Sequence, residues 1–135
     1  MGKLYRSREG DVTAVDTKTQ LTTLGSETAP GPLLVPAGAK TLLSIIVAAA
    51  PNYAAANDAG LFIRLEGPGL PEGPESITIG ATGGGVATGG ASTQKAREIP
   101  LNIPVVPSNE ILIFAEMAGE DVGTVTVGVT LVFGS

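Results

Sequence analysis

The sequence contains no cysteine, no histidine and no tryptophan. Without cysteine there is no disulfide, no thiolate nucleophile and no thiolate zinc site. Without histidine the commonest general base and the commonest transition-metal ligand are also missing. The aromatic residues number five, Tyr5, Tyr53, Phe62, Phe114 and Phe133, so a core has to be built from Val, Ile, Leu and Ala. Charge is scarce too: 16% of residues are charged, against about 25% in an average soluble domain. Since 43% are hydrophobic, polar groups cannot easily cover a single copy. Part of the exterior is expected to be buried against other copies.

Long apolar runs are absent as well. The longest, Leu42–Ala50, is interrupted by Ser44 and followed by Pro51, and a membrane-spanning helix needs about 20 residues. No apolar run follows "MGKLYRSREGDV", so no signal peptide is visible. Arg6 stands where a myristoylation pattern requires Ser or Thr. A soluble chain with no membrane partner is expected.

The net charge of −5 is unevenly distributed. Residues 1–10 carry Lys3, Arg6 and Arg8 against Glu9, and the rest of the chain is acidic. An acidic body is a poor partner for nucleic acid, whose phosphates need clustered Lys and Arg. Residues 1–10 read as a charged arm without periodicity. Residues 11–135 form one domain, a size that buries roughly two thirds of its unfolded surface.

What is present is period-two alternation. In "VGTVTVGVTLVFGS", Val125, Val127, Val129, Leu131 and Phe133 share one face and threonines fill most of the other, the pattern of a strand with one buried side. "DVTAVDTKTQLTTL" (11–24) is a Thr-rich edge strand. "LLV" (33–35) is a short strand that counts only if it pairs. Residues 41–50 are a central strand buried on both faces and ended by Pro51, with a short buried helix as the alternative. "NYAAANDAG" suits one helical turn capped by Gly60. Strands follow at 61–67, 76–80, 94–106 and 109–117. The 94–106 strand carries Pro100 and Pro104, which confine it to an edge or a bulge. "AGEDVG" (118–123) reads as a hairpin loop. About eight strands result, an all-β fold of two packed antiparallel sheets, a single jelly roll. An immunoglobulin-like sandwich is the rival, without its Trp and Cys pair.

Four patterns invite a chemical reading. In the Gly-rich loop Gly80–Gly90, Gly84 and Gly89 have the first spacing of a phosphate loop, but Gly90 and Ala91 replace the Lys and Ser/Thr that would hold phosphate and magnesium; a plain inter-strand loop accounts for it. "NDAG" and "AGEDVG" each offer adjacent polar side chains without the regular ligand spacing of a calcium loop, so Glu120 and Asp121 read as turn formers. Glu66 and Glu116 sit inside strands as a conceivable carboxylate pair, but no aromatic platform flanks them. Lys3, Arg6 and Arg8 form an arm able to reach an acidic neighbouring subunit. Leu112, Phe114 and Val132 lie opposite the buried rows of their strands and are expected to need cover from another subunit. No catalytic residue, cofactor or metal site is expected.

Three stretches, "LLVPAGAKTLLSIIVAAA", "IPLNIPVVPSNEILIFAE" and "VGTVTVGVTLVFG", give the chain a resemblance to the small single-jelly-roll structural proteins of viruses: capsid subunits, decoration or cement proteins, and turret or spike pieces. The resemblance covers about residues 11–135. It implies a non-enzymatic protein of a virus particle, made in the host cytoplasm, that assembles with itself as a trimer and with other capsid proteins. The weak basic arm fits the outside of a shell better than its nucleic-acid lining. The alternative is a carbohydrate- or receptor-binding jelly roll acting through its loops.

Overall fold

The computed structural model describes residues 2–13, 17–24, 31–53, 59–82, 90–91, 97–119 and 124–135. Among them are ten strands and no helix: β1 (Leu4–Val12), β2 (Thr19–Gln20), β3 (Leu33–Leu34), β4 (Thr41–Tyr53), β5 (Ala59–Glu66), β6 (Glu75–Thr82), β7 (Gly90–Ala91), β8 (Arg97–Pro104), β9 (Glu110–Gly119) and β10 (Thr124–Gly134). Every strand pairing is antiparallel. Sheet A runs β1-β10-β4, with β7 and β8 both on the far side of β4; sheet B runs β9-β5-β6, with β2 and β3 both on the far side of β9. Joining β2 to β3 and β7 to β8 gives eight successive arms in a nested order. The first lies beside the eighth, the second beside the seventh, the third beside the sixth and the fourth beside the fifth.

The two sheets close over one aliphatic core. Sheet A contributes Val12, Leu42, Ile45, Val47, Val127, Val129, Leu131 and Phe133, and sheet B contributes Leu61, Ile63, Leu65, Ile111, Ile113, Ala115 and Met117. Each such Val, Ile, Leu or Phe stabilises the fold by roughly 1.5–3 kcal/mol. Val35, Leu70 and Val105, from connections between strands, are buried in the same cluster. There Gly69 lies so close to β9 that a Cβ would meet Ile111 Cγ1 at 2.8 Å and Glu110 O at 2.9 Å; only glycine fits.

β10 is a central strand, paired with β1 over Val12–Leu4 and with β4 on its other side. Val127, Val129, Leu131 and Phe133 are buried as their alternation demands. β4 is also central, and β8 is the edge strand that its prolines require.

The structure corrects several expectations. Residues 4–10 are not an arm but most of β1. Leu4, Arg6, Arg8, Gly10 and Val12 alternate with Tyr5, Ser7, Glu9 and Asp11; arginines occupy two of the inner positions, so the apolar period is hidden. Residues 11–24 are not one strand. β1 ends at Val12, β2 pairs with β9, and Thr23 then exchanges backbone hydrogen bonds with Glu9, so this segment passes from sheet B to the edge of sheet A. "LLV" does pair, through Leu33 and Leu34 against Ile111 and Glu110. β4 continues through Pro51 to Tyr53 because beyond Val47 the pairing passes from β8 to β7. Gly60 sits in β5 between Ala81 and Ala118, and residues 54–58 of the expected helical turn lie outside the described residues. β9 and β10 belong to different sheets and are not the two arms of a hairpin.

Within β4 a bulge changes the faces. The register with both β10 and β8 shifts across Leu42–Ser44, so Leu42 joins Ile45 and Val47 in the core. Leu43 lies on the other face, over Gly134. That outer face is half covered at Leu43 and Ile46 and closed at Ser44, whereas the sequence suggested burial on both faces. Residues 83–89 of the Gly-rich loop, Asn57 and Asp58, and Glu120 and Asp121 lie outside the described residues.

Candidate functional site

The outer face of sheet B brings polar and aromatic side chains together. β5 places Phe62, Arg64 and Glu66 on this face, and β9 sets Glu116, Phe114 and Leu112 directly opposite them. Ser76 of β6 lies opposite Arg64, and Lys18 reaches in from just before β2. Lys18 Nζ donates to Glu66 Oε2 at 2.9 Å and lies 4.4 Å from the centre of the Phe114 ring. Arg64 Nε also donates to Glu66 Oε2, and Arg64 Nη1 donates to Ser76 Oγ at 3.1 Å. The hydrogen bond from Lys18, then that from Arg64, holds the Glu66 carboxyl below its ordinary value. The hollow bounded by Lys18, Phe62, Arg64, Ser76, Phe114 and Glu116 measures about 280 Å³. It is shallow and solvent-open, and both its cations already serve Glu66.

Arg64 and Glu66 therefore share a face, as their spacing predicts. The conceivable pair Glu66 and Glu116 is on one face as well. Glu66 is engaged by two cations and stays ionised, which suits a structural contact rather than proton transfer.

The residues expected to meet another subunit are dispersed. Leu112 and Phe114 do face outward and are half-buried, with Lys18 lying over Phe114. Val132 takes the outer face of sheet A, opposite Tyr5 and Ser44, but it is only 1% exposed and offers no surface to a partner. Leu43, displaced by the bulge, lies beside it over Gly134. Lys3 precedes β1 and is exposed. Arg8 is turned onto its own chain, with Nε donating to Gly31 O at 2.8 Å and Nη1 to Ser7 O at 2.7 Å. It does not reach outward as an arm.

A second hollow, of about 310 Å³, lies on the outer face of sheet A over Gly128, between Ser7 and Glu9 of β1 and Ile46 and Ala48 of β4. Sequence reasoning missed the surface residues Tyr5, Leu24 and Leu34, and it missed Lys18. Tyr5 and Leu34 are 53% and 55% exposed, Leu4 and Leu24 both 40%. Alternation around the buried Leu33 would have marked Leu34; the others required knowing where β1 and β2 begin and end.

No family model matches the chain, and no curated protein matches it. Among solved structures it is similar to part of dimeric latent PorU from Porphyromonas gingivalis, with 9% identity and a TM-score of 0.46, over 97% of this chain and 13% of that one. At this level of likeness nothing about activity or partners transfers.

Proposed function

We propose that this protein is a non-enzymatic structural component of a virus particle, a single jelly roll that forms or decorates the capsid shell as a homo-oligomer, a trimer. The observation that carries this reading is the group of large apolar side chains left in solvent on and beside the edge strands β1 and β3. Leu4 and Tyr5 stand on β1, Leu34 on β3 and Leu24 beside β1, and β1 and β3 are edge strands in contact with each other. Side chains of this size in solvent favour association, and cyclic symmetry closes it into a small ring. The nested order of the eight arms supports the jelly-roll reading, because it is the order of one long antiparallel hairpin rolled into two sheets.

In this reading Leu4, Tyr5 and Leu34 replace Val132 as contact residues. The protein turns over no substrate, needs no cofactor, and meets copies of itself and other shell proteins. Light scattering over a dilution series tests it. A mass of three chains, stable at micromolar concentration and nearly indifferent to salt, is expected. Monomers under those conditions, or an oligomer that salt disperses, contradict the proposal.

A further inference from the structure

β1 is the outermost full strand of sheet A, and its far side has one backbone partner among the described residues. Glu9 donates its N–H to Thr23 O at 2.8 Å and accepts from Thr23 N at 3.1 Å. The peptide groups of Glu9 therefore point away from β10. The register with β10 is continuous from Leu4 to Val12, so those of Tyr5 and Ser7 point the same way. Such a row is a template for another strand.

Here the row is covered from within. Arg6 Nη1 donates to Tyr5 O at 3.0 Å, and Arg8 Nη1 donates to Ser7 O at 2.7 Å. Each guanidinium occupies the outward carbonyl of the residue before it. Arg8 is further fixed through Nε to Gly31 O. Both arginines stand on inner-face positions of the strand, in line with Gly10 and Val12, where an interior strand would carry apolar residues. Inward-directed charge on an edge strand raises the cost of burying that edge.

We propose that Arg6 and Arg8 hold the Tyr5–Ser7 edge of β1, which has no further backbone partner among the described residues, shut against strand pairing with a second copy of this chain. Antiparallel pairing of β1 with its own copy is isologous and needs no new partner. The device forces any assembly to use side-chain surfaces instead of a continued sheet. This goes beyond the shell proposal and requires that the contacts of Leu4, Tyr5 and Leu34 proposed there leave the backbone edge of β1 open.

Arg6 is exposed and bonds its own backbone, so it can be removed with little effect on the core. Arg6→Ala should raise the particle mass above that of wild type in light scattering at equal concentration. Adding Ser7→Pro, which deletes an outward N–H, should restore the wild-type mass. Arg6→Met keeps the stem without the donors and decides the matter should Arg6→Ala lose its β-sheet circular dichroism. A folded Arg6 variant with unchanged mass across the series, or a mass increase that Ser7→Pro leaves in place, would overturn the proposal.

Discussion

Lys18 Nζ lies 4.4 Å from the centre of the Phe114 ring, on its way to Glu66 Oε2. One ammonium thus covers an aromatic face and neutralises a carboxylate two strands away. Such pairs in solvent contribute little apiece, but this one ties the short β2 segment to β5 across β9.

The Glu66 carboxyl is lowered by Lys18 and then Arg64, which sets the sign of a pH effect. A lowered folded value adds stability that is fully present above the unfolded value, and that stability fades as pH falls through the folded one. Glu66→Gln is therefore expected to melt at a lower temperature than wild type at pH 7. The gap should shrink as pH drops below the ordinary value of 4.5, and added salt should shrink it too. Melting curves by circular dichroism between pH 7 and 3 check this; a gap that is constant over the range argues against the charge.

Phe133 is fully buried among the sheet A and sheet B aliphatics, whereas Phe62 is 36% exposed on the sheet B hollow. Phe133→Ala should cost about 3–5 kcal/mol. Phe62→Ala should stay within about 0.5 kcal/mol. Chemical denaturation of the two variants separates these outcomes, and comparable losses would mean that Phe62 is covered in solution.

Two glycines should respond in opposite directions. At Gly69 an added methyl collides with Ile111 and the Glu110 carbonyl, so Gly69→Ala is expected to cost about 1–3 kcal/mol. At Gly128, in the middle of β10, a Cβ meets nothing within 4 Å. Gly128→Ala should stabilise by about 0.5 kcal/mol, through the lower chain entropy of alanine. Thermal melts of both decide it; a destabilised Gly128→Ala would place another group in the hollow above β10.

Much of the fold could be read where one face is buried and one is polar. β10 was legible because Val125, Val127, Val129 and Leu131 alternate with Thr and Gly, and the 109–117 strand because its apolar run is short and bounded by turn residues. β1 escaped because Arg6 and Arg8 stand where apolar side chains would mark the period. The bulge at Leu42–Ser44 escaped because the adjacent Leu42 and Leu43 leave no sign of the phase change. The outward positions of Leu112 and Phe114 follow from alternation. That Val132 is covered while Tyr5 and Leu34 are not depends on neighbours from distant parts of the chain, and no local pattern carries that information. Lys18 belongs to the same class, since its role exists only once β2, β9 and β5 are side by side.

The nested order of the arms has a consequence for how the chain finds its shape. Leu65 and Glu75 meet across the connection 67–74 between β5 and β6, but Leu4 and Phe133 pair from nearly opposite ends of the sequence. Closing that outermost pair first would cost the largest loop entropy, while each inner pairing shortens the loop left to close. Zipping outward from β5–β6 is the cheapest route. Refolding then belongs to the slow class, milliseconds to seconds, set by non-local pairing. During synthesis β1 has no neighbour in sheet A until β10 leaves the ribosome, so it waits, fully made, for almost the entire translation time of the domain.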